Sequence, residues 1–235
     1  MRRSKTLSLA VAAALALGAQ AKADTITLFN SGVGPGGSLL SGGSLDPHWS
    51  IIAGPGITSP ISAVVLNNQQ VGNYAQSTDS RWVWVNAGGV AATGSPYTFR
   101  LTFDLTGYNP STATISGSWG VDNDGTILLN GAAPAGSGAL TLLGGDIPNH
   151  YTSFHNFSIT GDLSPGSTPW ISPRTDLGVI GGLNVNHLVG TVTAVPEPSS
   201  VLMVAFGVAI LATCSRGRRL LASPHSEAPQ RSSDR

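Results

Sequence analysis

The sequence predicts an all-β fold, an antiparallel β-sandwich or jelly roll, flanked by an N-terminal signal peptide and a single C-terminal transmembrane helix. Three observations support this fold class. The chain has 30 glycines, 15 prolines and only 10% charged residues, which indicates many turns and little exposed helix. Apolar and polar residues alternate with a period of two in several segments. Between residues 24 and 195, no segment combines helical periodicity with helix caps.

The first 23 residues have the organisation of a secretory signal peptide. The basic residues come first: Arg2, Arg3 and Lys5. A short apolar segment follows at 7–18, and the sequence A-K-A at 21–23 fits a cleavage site. We therefore predict a signal peptide over residues 1–23 and a mature chain that begins at Asp24. An N-terminal membrane anchor is the alternative.

The exported part, residues 24–194, is acidic although the whole chain has a formal net charge of +0. It contains nine aspartates and three arginines, with no lysine and no glutamate, which gives a net charge of −6. Phosphate binding needs a basic surface, so nucleic acid is excluded as a partner. The single cysteine, Cys214, lies beyond this part, so the exported domain relies on its core rather than on disulfides.

Alternation is clearest in the middle of the chain. In YTFRLTFDL at 97–105 the apolar side chains fall on one face, and TATISGSWGV at 112–121 repeats the pattern. The residues at 106–110 between them have the composition of a turn. Weaker strand candidates are 25–29, 48–52, 62–67, 81–86, 126–130, 154–160 and 183–193. Their short, glycine-rich connections favour antiparallel strands.

Known catalytic motifs are missing from the sequence. There is no H-E-x-x-H, G-x-S-x-G, C-x-x-C or G-x-x-x-x-G-K-[ST] pattern, and the histidines are dispersed. We therefore predict a non-catalytic protein with no cofactor. The alternative is a secreted polysaccharide-active hydrolase or lyase that uses a pair of its aspartates.

Two groups of residues are candidates for ligand binding. Trp49, Trp82 and Trp84 offer aromatic faces for carbohydrate, with Trp82 and Trp84 on one strand face; core packing is the favoured interpretation of all three. Asp122 and Asp124, in D-N-D-G, offer oxygen ligands for calcium, but an ordinary hairpin turn is favoured there.

The C-terminal region contains VPEPSSVLMVAFGVAILATCSRGRR. The charge-free window between Glu197 and Arg216 holds roughly 18 residues, or about 27 Å of helix, which barely spans a bilayer. Arg216, Arg218 and Arg219 would hold the basic end in the cytoplasm and the domain outside. Pro196 and Pro198, on either side of Glu197, favour an extended segment that a processing enzyme can bind.

These three elements in this order resemble the PEP-CTERM sorting signal of Gram-negative bacteria. The resemblance covers 195–219, with Pro196, Glu197 and Pro198 as the processing motif. It implies that an exosortase with a catalytic cysteine removes the tail after transient anchoring in the inner membrane, with the domain on the periplasmic side. It also implies delivery to the cell surface or extracellular space, in association with exopolysaccharide. Residues 220–235 continue past the usual end of such signals and are predicted to be a disordered tail.

Residues 97–131 resemble a galactose-binding-like jelly roll that recurs in PEP-CTERM proteins, and GGLNV at 181–185 looks like its closing strand. Before that strand the family has a G-x-N-T-L-D-F pattern, whereas this chain has GSTPWIS at 166–172. We hypothesise a local frameshift, which predicts a poorly formed strand at 167–176, interrupted by Pro169 and Pro173.

The nucleotide sequence of the gene tests the frameshift directly. Codons TCA ACA CCC TGG ATT TC would encode the present residues from Ser167, and a start one base earlier would read Val or Ile and then Asn-Thr-Leu-Asp-Phe. Codons that cannot yield that pentapeptide in the shifted frame would end the hypothesis.

Overall fold

Antiparallel strands dominate the computed structural model, which describes residues 23–70, 73–90, 96–129, 131–143, 149–161, 169–174 and 180–195. The strands are β1 (Ala23–Ile26), β2 (Leu45–Ala53), β3 (Ile61–Val65), β4 (Val83–Trp84), β5 (Thr98–Leu101), β6 (Tyr108–Asp122), β7 (Asp124–Leu129), β8 (Gly136–Gly138), β9 (Thr141–Leu142), β10 (His155–Thr160), β11 (Pro169–Arg174) and β12 (Gly182–Ala194). Within these ranges there is no helix, which confirms the prediction of an all-β, antiparallel fold.

The strands follow one another in a single hydrogen-bonded path, β8-β10-β6-β12-β4-β3-β2-β5-β11-β7-β9, and β1 pairs with β12 beside this path. The two longest strands, β6 with 15 residues and β12 with 13, are direct neighbours. The two-residue strand β4 connects β12 to β3, so it joins the two halves of the path.

The two halves of the path face each other across an apolar core. Alternate residues of β6 point into it, and Ile115, Trp119 and Val121 are at most 2% exposed. A cavity of only about 10 Å³ is lined from both halves, by Ile115, Ile159 and Val185 on one side and by Trp49, Leu101 and Ile127 on the other. This arrangement is consistent with a β-sandwich, and such an apolar void has no polar partner for water.

The predicted strands differ from the observed ones mainly in length. The segment at 97–105 forms only the four-residue β5, although Phe103 and Leu105 remain buried after the strand ends. β6 begins at Tyr108, inside the predicted turn at 106–110, because Tyr108 and Asn109 pair with the end of β12. The alternation at 112–121 is confirmed within β6.

The prediction of a poorly formed strand at 167–176 is wrong for Pro169–Arg174. These six residues form β11, which pairs with β7 along its whole length and with β5 at Trp170 and Ile171. Pro169 is the first residue of the strand, and Pro173 lies beyond the residues that pair with β5. Proline is tolerated at the first residue of a strand and at positions whose N–H would face an unpaired edge.

Residues 1–22 of the signal peptide predicted at 1–23, residues 196–219 of the sorting signal predicted at 195–219, and the tail predicted at 220–235 lie outside the described residues. Across the ranges that the structure covers, no helix is long and apolar enough to cross a membrane. The described residues belong to one compact unit that ends at Val195.

We expect Gly181→Ala to destabilise the protein. A Cβ atom at Gly181 would lie 2.2 Å from Cζ2 of Trp84, a fully buried side chain. Overpacking a filled core costs about 1–3 kcal/mol in the free energy of unfolding, which denaturant titration measures. Gly36→Ala is the matched control because nothing lies within 4 Å of its added methyl group. Equal stability of the two variants would contradict this description of the core.

Candidate functional site

The three tryptophans predicted as carbohydrate-binding candidates are core residues. Trp49 is 2% exposed, Trp82 1% and Trp84 0%. A sugar-stacking surface needs an accessible ring face, so the carbohydrate interpretation of these side chains is corrected and the packing interpretation holds.

The prediction that Trp82 and Trp84 share a strand face is also wrong. Trp84 packs against Tyr97 and Phe99 in the main core. Trp82 precedes β4 and packs against Tyr74 and Phe154. The regular strand begins only at Val83, so the period-two rule does not relate the two indoles.

Trp82 belongs to a second group of aromatic side chains, the outer-face cluster, which consists of Tyr74, Trp82, Tyr151 and Phe154. It covers the side of β6 and β12 that faces away from the main core. Two glycines make room for it. A Cβ at Gly120 would lie 2.9 Å from the Trp82 ring, and a Cβ at Gly182 would lie 2.8 Å from Tyr74.

The predicted calcium candidates lie beneath this cluster, at the junction between β6 and β7. Asp122 and Asp124 are each 8% exposed. The Tyr74 hydroxyl donates a 2.6 Å hydrogen bond to Oδ2 of Asp122. Burial and the Asp122 carboxylate together raise the pKa of Tyr74 far above its usual range, so it stays a neutral donor.

His150 contacts the same junction at Asn123 and Asp124. Its Nδ1 lies 2.8 Å from the backbone oxygen of Asn123 and 3.9 Å from Oδ1 of Asp124. Among the residues that the structure describes, no group of three or more His, Cys, Asp or Glu side chains is placed to hold a metal ion. The described contacts join Asp122 to Tyr74 and Asp124 to His150.

The prediction of an ordinary hairpin turn at this position is wrong. β6 pairs with β10 and β12, whereas β7 pairs with β9 and β11. The chain crosses at Asn123 from one half of the sheet path to the other. This crossing buries the carboxylates, which an exposed hairpin turn would leave in water.

Sequence reasoning missed a further buried carboxylate. Asp46 is 1% exposed and accepts hydrogen bonds from the backbone N–H groups of Gly32, His48 and Trp49, at 2.6, 2.8 and 3.0 Å. Burial raises its pKa, and these backbone donors oppose that shift. The bonds from His48 and Trp49 form an Asx-type turn, and an aspartate two residues before the strand predicted at 48–52 was the available signal. The bond from Gly32 comes from a distant loop and leaves no local signal.

The last residues of β12 lie between two other strands and directly before the predicted processing motif. Thr191 pairs with Thr25 of β1 and with Thr114 of β6. The N–H of Val195 still donates a 3.0 Å hydrogen bond to the carbonyl oxygen of Gly107. We call residues 23–26, 107–114 and 190–195 the sheet end. Its described pairing reaches Val195, the residue before Pro196.

A folded β domain that runs directly into a Pro-Glu-Pro segment, an apolar segment and an arginine cluster has the layout of an exported domain with a C-terminal sorting signal. Residues 194–219 match the family model of the PEP-CTERM protein-sorting motif. The motif identifies an exported protein with a membrane-anchoring sorting signal and an exosortase as its processing partner. No curated protein and no solved structure matches the chain.

The matched range contains every residue predicted for sorting: Pro196, Glu197, Pro198, Arg216, Arg218 and Arg219. These residues lie outside the described part of the chain, so their roles remain predictions. The family match begins at residue 194. The start predicted from sequence, residue 195, differs by one position.

We expect Tyr74→Phe to lower the free energy of unfolding by about 1–3 kcal/mol, because the buried Asp122 carboxylate loses a donor. Tyr108→Phe is the matched control. Its hydroxyl bonds Asp24 at the surface, 3.1 Å away, where water replaces the lost partner. Denaturant titration of both variants gives the comparison. A Tyr74→Phe effect no larger than that of Tyr108→Phe would contradict a structural role for the junction.

Proposed function

We propose that this chain is an exported, non-catalytic surface or extracellular-matrix protein whose tail is read and removed by an exosortase. The tail holds the protein transiently at the inner membrane, with the domain on the periplasmic side. After removal of the tail, the domain is delivered to the cell surface or extracellular space, where it associates with exopolysaccharide. The match of residues 194–219 to the sorting motif is the observation that supports this proposal.

The composition of the domain supports an extracellular, glycan-rich setting. Its net charge of −6 and its lack of lysine argue against polyanionic partners. With Trp49, Trp82 and Trp84 in the core, a glycan-binding surface has to use hydroxyl and amide side chains on exposed strands. The beginning of β6, with Asn109, Ser111 and Thr112, supplies groups of this kind that hydrogen-bond sugar hydroxyls.

One observation favours a second candidate, a secreted polysaccharide-active hydrolase or lyase. Asp122 and Asp124 are two positions apart in the chain, and Asp122 bonds Tyr74 of the outer-face cluster; paired carboxylates beside aromatic side chains are found in such enzymes. Against it, both carboxylates are largely buried, and Asp122 is bonded to Tyr74. A catalytic acid must reach its substrate, so we favour the structural role.

The first prediction concerns the tail. In the native host, the wild-type protein should reach the surface fraction without its C-terminal segment. Replacement of Pro196, Glu197 and Pro198 by alanine should leave full-length protein in the membrane fraction, because the processing motif is lost. Intact mass measurement distinguishes the two forms.

A matched control replaces the same residue types beyond the arginine cluster, with Pro224, Glu227 and Pro229 changed to alanine. This variant should be processed like the wild type. A wild-type surface fraction that ends at Arg235, or normal processing of the Pro-Glu-Pro variant, would contradict the proposal.

The second prediction separates binding from catalysis. Mature protein mixed with the exopolysaccharide of its host should sediment with the polymer and release no new reducing or unsaturated ends. Release of such ends that is lost in Asp122→Asn would favour the hydrolase or lyase. Absence of both binding and release would remove the exopolysaccharide from the proposal.

A further inference from the structure

The segment before the sorting motif is paired on both sides. Gly190, Thr191 and Thr193 each have one partner residue in β1 and another in β6. Val192, between them, is 1% exposed and belongs to the core. A strand with neighbours on both edges uses its backbone N–H and C=O groups within the sheet.

Side-chain hydrogen bonds also connect the strands at this end of the sheet. The hydroxyl groups of Thr112 and Thr193 lie 2.8 Å apart, and the N–H of Thr193 donates to the Thr112 hydroxyl at 3.0 Å. The Tyr108 hydroxyl bonds Asp24, which connects the beginning of β6 to β1, and this bond raises the pKa of Tyr108. With the bond from Val195 to Gly107, the ordered pairing extends to the last residue before Pro196.

A peptide bond inside such a segment is a poor substrate. An enzyme that binds an extended chain forms its own hydrogen bonds with the backbone of that chain. Gly190, Thr191 and Thr193 are paired on both edges of β12, so cleavage within this segment requires local opening of the sheet, and its rate follows the population of the open form.

We propose that the sheet end sets the upstream limit of tail removal, so that the processing enzyme cuts C-terminal to Val195 and β1 forms part of the barrier. This inference rests on the proposed function. The cut itself is a hydrolysis without redox change: the hydroxyl group of water adds to the carbonyl carbon, and the nitrogen of the cleaved bond takes up a proton.

The role of β1 gives the proposal a second consequence. β1 begins at Ala23, the last residue of the predicted signal peptide, so the mature chain would begin at Asp24, which pairs with Val192. The two chain ends that N- and C-terminal processing create therefore lie on neighbouring strands. A defect that detaches β1 should expose one edge of β12 just upstream of the motif.

Gly190→Val is the variant that detaches β1. A Cβ atom at Gly190 would lie 2.8 Å from Cβ of Ile26 and 3.0 Å from Cδ1 of Leu28, so a larger side chain forces β1 away. Gly36→Val is the matched control, since a Cβ atom at Gly36 meets nothing within 4 Å. Each full-length gene is expressed in the native host, and mass spectrometry of C-terminal peptides from the surface fraction locates the cut.

We expect wild type and Gly36→Val to end at or beyond Val195. Gly190→Val should increase the share of ends within 190–194 about tenfold. If Gly190→Val does not accumulate, Gly190→Ala serves in its place, because its methyl group already meets Ile26.

Wild-type ends within 190–194, or unchanged ends in the Gly190 variants, would overturn this inference while leaving the proposed function intact. Intact chains that end at Arg235 in every sample would instead overturn the proposed function, and the inference with it.

Discussion

The pairing of β6 with β12 is the interaction on which the rest of the structure depends. It runs from the Gly182–Asp122 pair to the Ala194–Tyr108 pair, with two register shifts. β10 pairs with the other edge of β6, and β1 pairs with the end of β12. β4 also pairs with β12 and connects it to the second half of the sheet path. One face of the pair supplies the main core, and the other face carries the outer-face cluster.

Much of the fold could be predicted because its signals are local. The alternation at 112–121 is contained in one segment, and the sorting motif is contiguous, so a single sequence reveals both. The placement of Trp82 depends instead on Gly120 and Gly182, which lie 38 and 100 positions further along the chain. No local pattern shows which aromatic side chain will meet which glycine.

The junction at 122–124 shows a related limit. D-N-D-G has the composition of a hairpin turn, and local sequence favours that interpretation. The observed crossing is decided by the partners of β6 and β7, which come from four other strands. Similarly, the pairing partners of β11 determine which of its prolines the sheet tolerates. The Tyr74–Asp122 bond could not be predicted because its residues are 48 positions apart.

One physical claim connects the fold with the sorting signal: stable backbone pairing continues through the end of β12, up to the residue before the processing motif. Hydrogen exchange of the full-length protein, read by mass spectrometry, tests it most directly. The account predicts that amides at 190–194 exchange as slowly as those at 183–186 and that fast exchange begins beyond Val195. Exchange at 190–194 as fast as in the exposed loop at 36–38 would contradict it.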